Sequence, residues 1–211
     1  MKLPKSTLAI LLLLVISCSS STSTTVEEDI IPLSKEEKIR KLYTEKIIPL
    51  FTDYIGVTIP VDFRIDKIDL SVNAGAAFGY VEISQGLINY EKEHIQIYVL
   101  AHEVAHIVTL NQANKFNLGT FIPSGTTTND YKKSEYLADL IAIHLMNIHL
   151  NEQLNLVSNE FTVLGSLLGH KSFTHPSSGE RIKAMKEYLN KNNTDSLNTF
   201  KELFKKIWEM Q

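Results

Sequence analysis

Two histidines four residues apart stand in the run His102-Glu103-Val104-Ala105-His106. On an α-helix, positions i and i+4 share a face, so both imidazoles can reach one ion while Glu103 lies beside them. Two imidazoles completed by a carboxylate suit zinc, and the open fourth position holds a water that becomes a nucleophile once a base takes its proton. In a chain of 211 residues with 7 histidines this pattern arises by chance only about 0.02 times. Its surroundings agree. Ile97, Leu100, Ala101, Val104, Ala105 and Val108 make the segment a buried helix, where unpaired imidazoles and carboxylates cost several kcal/mol unless a partner such as a metal is supplied.

A third ligand must come from elsewhere, and Glu135 in Ser134-Glu135-Tyr136-Leu137-Ala138-Asp139 is the best placed. It follows His106 by enough chain for a helix to return antiparallel. Asp139 lies one turn further along the same face, where a carboxylate can accept the spare N–H of a ligating histidine and fix its tautomer. His94, His144, His149 and His170 receive no role.

The elements that position these groups are read from periodicity. The capping-box spacing Ser34 to Glu37 opens a helix whose apolar residues Ile39, Leu42, Tyr43, Ile47, Leu50, Phe51 and Tyr54 recur at helical intervals to Gly56. Val61, Phe63 and Ile65 alternate with charged residues as in a strand, and Asn73 to Ser84 is a second extended stretch closed by Gly86. The active segment is helical over about 91–110. A loop is expected over 111–130, and helices over about 131–150, 153–168, 178–190 and 196–210. The expected class is a helix-rich α+β domain with a small sheet.

The N-terminus has a different composition. Lys2 and Lys5 precede an unbroken apolar run from Leu8 to Ile16, which ends at Ser17-Cys18. A charged start, a short apolar run and a small residue make an export signal over residues 1–17, too short to span a bilayer comfortably. Cys18 is the only cysteine, which excludes a disulfide framework and a cysteine-based zinc site. Val15-Ile16-Ser17-Cys18 resembles the lipobox of bacterial lipoproteins, which implies acylation of Cys18 and attachment to a lipid bilayer. Residues 18–33 are rich in Ser and Thr and read as a tether, leaving 34–211 as one domain. Ser19 beside the cysteine is compatible with an outer-membrane anchor facing the periplasm of the cell envelope. Loss of the two leader lysines takes the net charge from −3 to −5, and an acidic domain is a poor partner for nucleic acid. Oligomeric state is not legible.

His102–His106 followed by Glu135-x-x-Ala138-Asp139 resembles the gluzincin family of CAAX prenyl proteases, HtpX-like membrane proteases and BepA-like periplasmic lipoproteins. Three further stretches are similar: Asn73-Ala74 through Gly79-Tyr80-Val81 to Gly86-Leu87-Ile88, Tyr98-Val99-Leu100-Ala101 ahead of the motif, and His175-Pro176 through Glu180-Arg181-Ile182. The likeness spans about residues 70–185. Unlike many periplasmic members, this chain has no histidine between Ile107 and Phe116, and no membrane-spanning segments surround its motif.

The resemblance implies a zincin fold and a zinc metalloendopeptidase with one Zn²⁺ per chain. His102, His106 and Glu135 would be the ligands and Glu103 the general base. It further implies an edge strand over Asn73, Ala74, Gly75, Ala76, Ala77, Phe78 and Gly79 that receives an extended polypeptide substrate, and small side chains there leave room for it. His175 is implied near the metal, either as a donor to the oxyanion or as an idle fourth ligand, and Arg181 as the partner of a site carboxylate. The fitting substrates are unfolded or misassembled envelope proteins. The alternative is a zinc-stabilised chaperone or binding lipoprotein that does not cleave.

Overall fold

Helix α1 (Lys35–Leu42) opens at the capping box expected from the sequence. The Ser34 backbone N–H donates to Glu37 Oε2 at 2.8 Å, and the Glu37 N–H donates back to Ser34 Oγ at 3.2 Å. In this computed structural model, residues 32–77, 79–191 and 195–211 are described. The expected export signal, Cys18, nearly all of the expected tether and Phe78 lie outside the described residues. The chain divides between Pro32 and Leu33, and the folded domain is residues 33–211.

One continuous helix to Gly56 was expected, and the structure differs. The α-helix passes into a π-helical turn at Tyr43–Ile47 and a 3₁₀ turn at Ile48–Phe51. Pro49 gives the reason. It has no N–H to donate and its ring crowds the carbonyl four residues back, so the hydrogen-bond ladder must shift its spacing.

Strands β1 (Arg64–Asp66), β2 (Ala74–Ala77) and β3 (Tyr80–Ser84) form a mixed sheet in the order β1-β3-β2. β1 runs parallel to β3 and β2 antiparallel to it, with Gly75 opposite Glu82 and Ala77 opposite Tyr80. The stretch 73–84 is therefore a hairpin rather than one strand. Gly79, at φ 90°, takes the left-handed conformation that its turn requires. The Ser84 N–H donates to the Asn73 carbonyl at 3.0 Å. By the alternation of an antiparallel ladder, Asn73, Gly75 and Ala77 bond to β3, which leaves the N–H and C=O of Ala74 and Ala76 on the outer edge.

Ser84 joins this edge to the next helix. Its hydroxyl donates to the Ser71 carbonyl at 2.6 Å and accepts from the N–H groups of Asn73 and Leu87. The last of these bonds caps the short helix α2 (Gln85–Asn89). Gly86 lets the chain before β2 pass directly over α2: a Cβ there would lie 2.0 Å from the Ser71 carbonyl oxygen. Gly86→Ala is therefore expected to push residues 69–71 outward, to misplace β2, and to lower stability by about 1–3 kcal/mol through overpacking. An unchanged thermal midpoint would refute this role of Gly86.

Helix α3 (Glu93–Lys115) is buried along most of its length and packs on α4 (Asp130–His149). It runs about a turn further than periodicity suggested. The expected helix 153–168 is two helices, α5 (Asn151–Asn159) and α6 (Phe161–Leu167). They part at Glu160, whose carboxylate binds Lys92 at 2.8 Å and His94 at 3.0 Å. Helices α7 (Ser178–Lys191) and α8 (Ser196–Trp208) complete the domain. The apolar stripe of α8 (Phe200, Leu203, Phe204, Ile207 and Trp208) is buried, and the helix packs on α4 and α7. His144 is a core residue: it stacks on Phe200 at 3.9 Å and meets the Tyr188 hydroxyl at 2.8 Å. Burial lowers its pKa to about 4. Among the described residues no helix is long and apolar enough to cross a membrane. The architecture is helix-rich α+β with a small three-stranded mixed sheet.

Candidate metal centre

Antiparallel packing of α3 on α4 sets His102 and His106 against Glu135. His102 Nε2 lies 3.0 Å from His106 Nε2 and 3.5 Å from Glu135 Oε2, and His106 Nε2 lies 3.4 Å from Glu135 Oε1. These three residues form a group able to hold a metal ion. Four ligands held tetrahedrally at ~2.0–2.1 Å from a zinc ion stand about 3.3 Å from one another, so the observed separations suit such an ion. The chemistry of the donors agrees. With His102 Nδ1 beside Asp139 at 2.9 Å, a neutral His102 would turn its Nε2 lone pair toward the Glu135 carboxylate, a repulsion that a proton or a metal ion between them relieves.

Behind these three residues lies a buried network. Asp139, on the same face of α4 as Glu135 and one turn further on, is 1% exposed. It accepts from His102 Nδ1, from the Tyr98 hydroxyl at 2.6 Å, and from Arg181 Nε and Nη2 at 2.7 and 2.6 Å. Arg181, from the first turn of α7, also reaches Glu135 Oε2 through Nη1 at 3.0 Å. That helix begins at its own capping box between Ser177 and Glu180, which fixes where Arg181 enters. Ser134 Oγ meets His106 Nδ1 at 3.1 Å and orients the second imidazole.

The electrostatics are those of a cation site. Burial works against charge on His102, but Asp139 and Glu135 outweigh it and hold its pKa up at about 10. Burial likewise opposes the charged form of Glu135, yet the two histidines keep it well below the ordinary carboxylate range. For Asp139, burial is outweighed by Arg181 and His102, with the same result. A metal ion bound here would have to displace the proton that His102 carries, so uptake would release a proton and weaken as pH falls.

Glu103 is buried, 7% exposed, and lines the same cleft as His102, His106 and Glu135. No hydrogen bond or ion pair engages its carboxylate among the described residues. His175 stands at the cleft rim with its side chain half exposed, Nε2 3.6 Å from Glu135 Oε1 and Nδ1 2.8 Å from Thr174 Oγ1. The cleft measures about 590 Å³, and Val72, Asn73, Ala74, Gly75 and Ala76 form one wall of it. The lining thus ends earlier than the expected run of Asn73 to Gly79: Ala77 closes the ladder and Gly79 occupies the turn. Residue types and spacing did not single out Tyr98 or Ser134. The signal was present in both cases, since Tyr98 precedes His102 by one helical turn and Ser134 precedes Glu135 directly. Comparisons with protein-family models, with curated proteins and with solved structures give no match.

Proposed function

We propose that this chain is a zinc-dependent endopeptidase of zincin type, lipid-anchored through Cys18 in a bacterial cell envelope, that acts on unfolded or misassembled proteins. The observation that carries the reading is Glu103: a buried carboxylate without a protein partner among the described residues, next to a metal-ligand histidine and open to a cleft walled by a free strand edge. A metal held only for stability has no use for such a base.

His102, His106 and Glu135 would hold the zinc ion, which when bound supplies a Lewis acid that polarises a carbonyl and acidifies water to a pKa of ~7. The chain's own groups do the rest. An extended substrate pairs with the outward N–H and C=O groups of Ala74 and Ala76, which fixes its backbone with little regard for sequence. Glu103 accepts the proton of the attacking water and returns it to the leaving amine. His175, whose Nδ1 lies 2.8 Å from Thr174 Oγ1, would donate to the oxyanion in the tautomer that carries its proton on Nε2. Asp139 keeps His102 in the tautomer that presents Nε2, and Arg181 balances the two buried carboxylates.

The test is metal analysis coupled to cleavage of unfolded casein. One zinc per mature chain is expected, together with chelator-sensitive cleavage. His102→Ala, His106→Ala and Glu135→Ala should each lose the metal. Full zinc in the Glu135 variant would remove that residue from the ligand set. Stoichiometric zinc without any cleavage would favour the non-cleaving binding module instead.

A further inference from the structure

Apolar side chains line the cleft beside His102, His106 and Glu135. On α3, Val99 precedes His102 by three residues and shares its face, and it lines the cleft together with Leu167 and Leu168 at the end of α6. All three are half-buried. On antiparallel α4, Tyr131 precedes Glu135 by one turn and so lies toward the opposite end of the ligand group. Tyr131 lines the cleft while 55% exposed, and its ring lies 6.1 Å from that of Phe173, which is 74% exposed. The Phe173 carbonyl accepts from Asn129 Nδ2 at 2.8 Å, and the Asn129 side chain also caps α4. Loop and helix start are thereby tied together, and Phe173, next in the chain to the cleft-lining Thr174, is held beside Tyr131.

We propose that the cleft selects extended peptide segments with a bulky apolar side chain on each side of the bond placed at the metal. One is received by Val99, Leu167 and Leu168, the other by Tyr131 and Phe173. This inference rests on the reading of the site as a peptide-binding one and adds its selectivity. The edge strand binds any extended backbone, so the discrimination lies in these two patches. Segments of this kind are buried in folded proteins and exposed in unfolded ones, which makes the patches the element that separates the two.

The experiment is fluorescence-anisotropy binding to zinc-loaded Glu103→Gln protein. The probes are two short labelled peptides of Ala, Ser and Thr, one with Leu and one with Ser at the two central positions. The Leu peptide is expected to bind at least ~10-fold more tightly. Tyr131→Ser and Leu168→Ser should each reduce that ratio, and the double variant should bring it close to unity. Equal binding of the two peptides, or an unchanged ratio in the double variant, overturns the proposal. The Ser peptide reports on the fold, since a misfolded variant loses both ligands. Should Leu168→Ser misfold, Tyr131→Ser, at an exposed position, decides alone. Failure of the wild-type protein to cut a Leu peptide that it binds selectively would sink the hydrolase reading and leave the selectivity standing.

Discussion

Glu103→Gln is expected to retain one zinc per chain and to lose ~10²–10⁴-fold in turnover, the range associated with removal of a positioned general base. The amide matches the carboxylate in shape but cannot accept a proton, and Glu103 has no structural bond among the described residues for the substitution to break. Stability should accordingly change little. Metal analysis, thermal unfolding and peptide cleavage on the same preparation give the answer. Turnover equal to wild type would remove Glu103 from the chemistry. Loss of zinc would instead make it a ligand.

Arg181→Met has the largest expected effect on the fold. Arg181 is 3% exposed and binds both Asp139 and Glu135, so its removal takes the guanidinium from two buried carboxylates and leaves them to the neighbouring histidines and the Tyr98 hydroxyl. Breaking a buried ion pair from one side costs about 3–5 kcal/mol, which for a domain of this size lowers the thermal midpoint by roughly 10 °C. The metal alters the outcome. Arg181 Nη1 lies 3.0 Å from Glu135 Oε2, a cation beside a group that is to hold another cation. Zinc should therefore stabilise the Arg181→Met protein more than it stabilises wild type. Thermal unfolding with and without zinc checks both signs. A midpoint unaltered in the metal-free variant, or a zinc-induced rise no greater than that of wild type, would contradict this role of the network.

Much of the site was legible because it is helical. The i,i+4 rule applied once to His102 and His106 and again to Glu135 and Asp139 places all four on two facing helix surfaces, and the structure brings them within hydrogen-bonding range. Tyr98 obeys the same rule with His102 and Ser134 directly precedes Glu135, but tyrosine and serine occur on so many helices that type and spacing alone do not mark them. The sheet was less legible. Asn73–Ser84 alternates continuously enough to pass for one strand, and only the left-handed backbone at Gly79 makes it a hairpin. Helix α2 is five residues long, too short for periodicity to register, and rests on the Ser84 cap. The break at Glu160 depends on Lys92 and His94, which are remote in sequence. Pro49 was visible from the start, but its effect, a change of helical spacing rather than a stop, depends on the packing of Tyr43 and Ile47 in the core.

The unpaired side of β2 also has a consequence for the protein itself. A strand edge that accepts any extended backbone accepts a second copy of the same molecule, and long flat edges of this kind seed aggregation. Here the exposure is limited by length. β2 has four residues, of which only Ala74 and Ala76 point their amides and carbonyls outward. The turn at Gly79 ends the strand on one side, and the Asp69–Ser71 turn, held by Asp69 Oδ1 at 2.9 Å from the Ser71 N–H, ends it on the other. Two copies meeting edge to edge would gain only a few backbone hydrogen bonds, too few to persist. If the edge receives a substrate as proposed, its brevity serves both ends: four residues suffice to pair with an extended chain that also fills the flanking patches, and are too few to template a fibril.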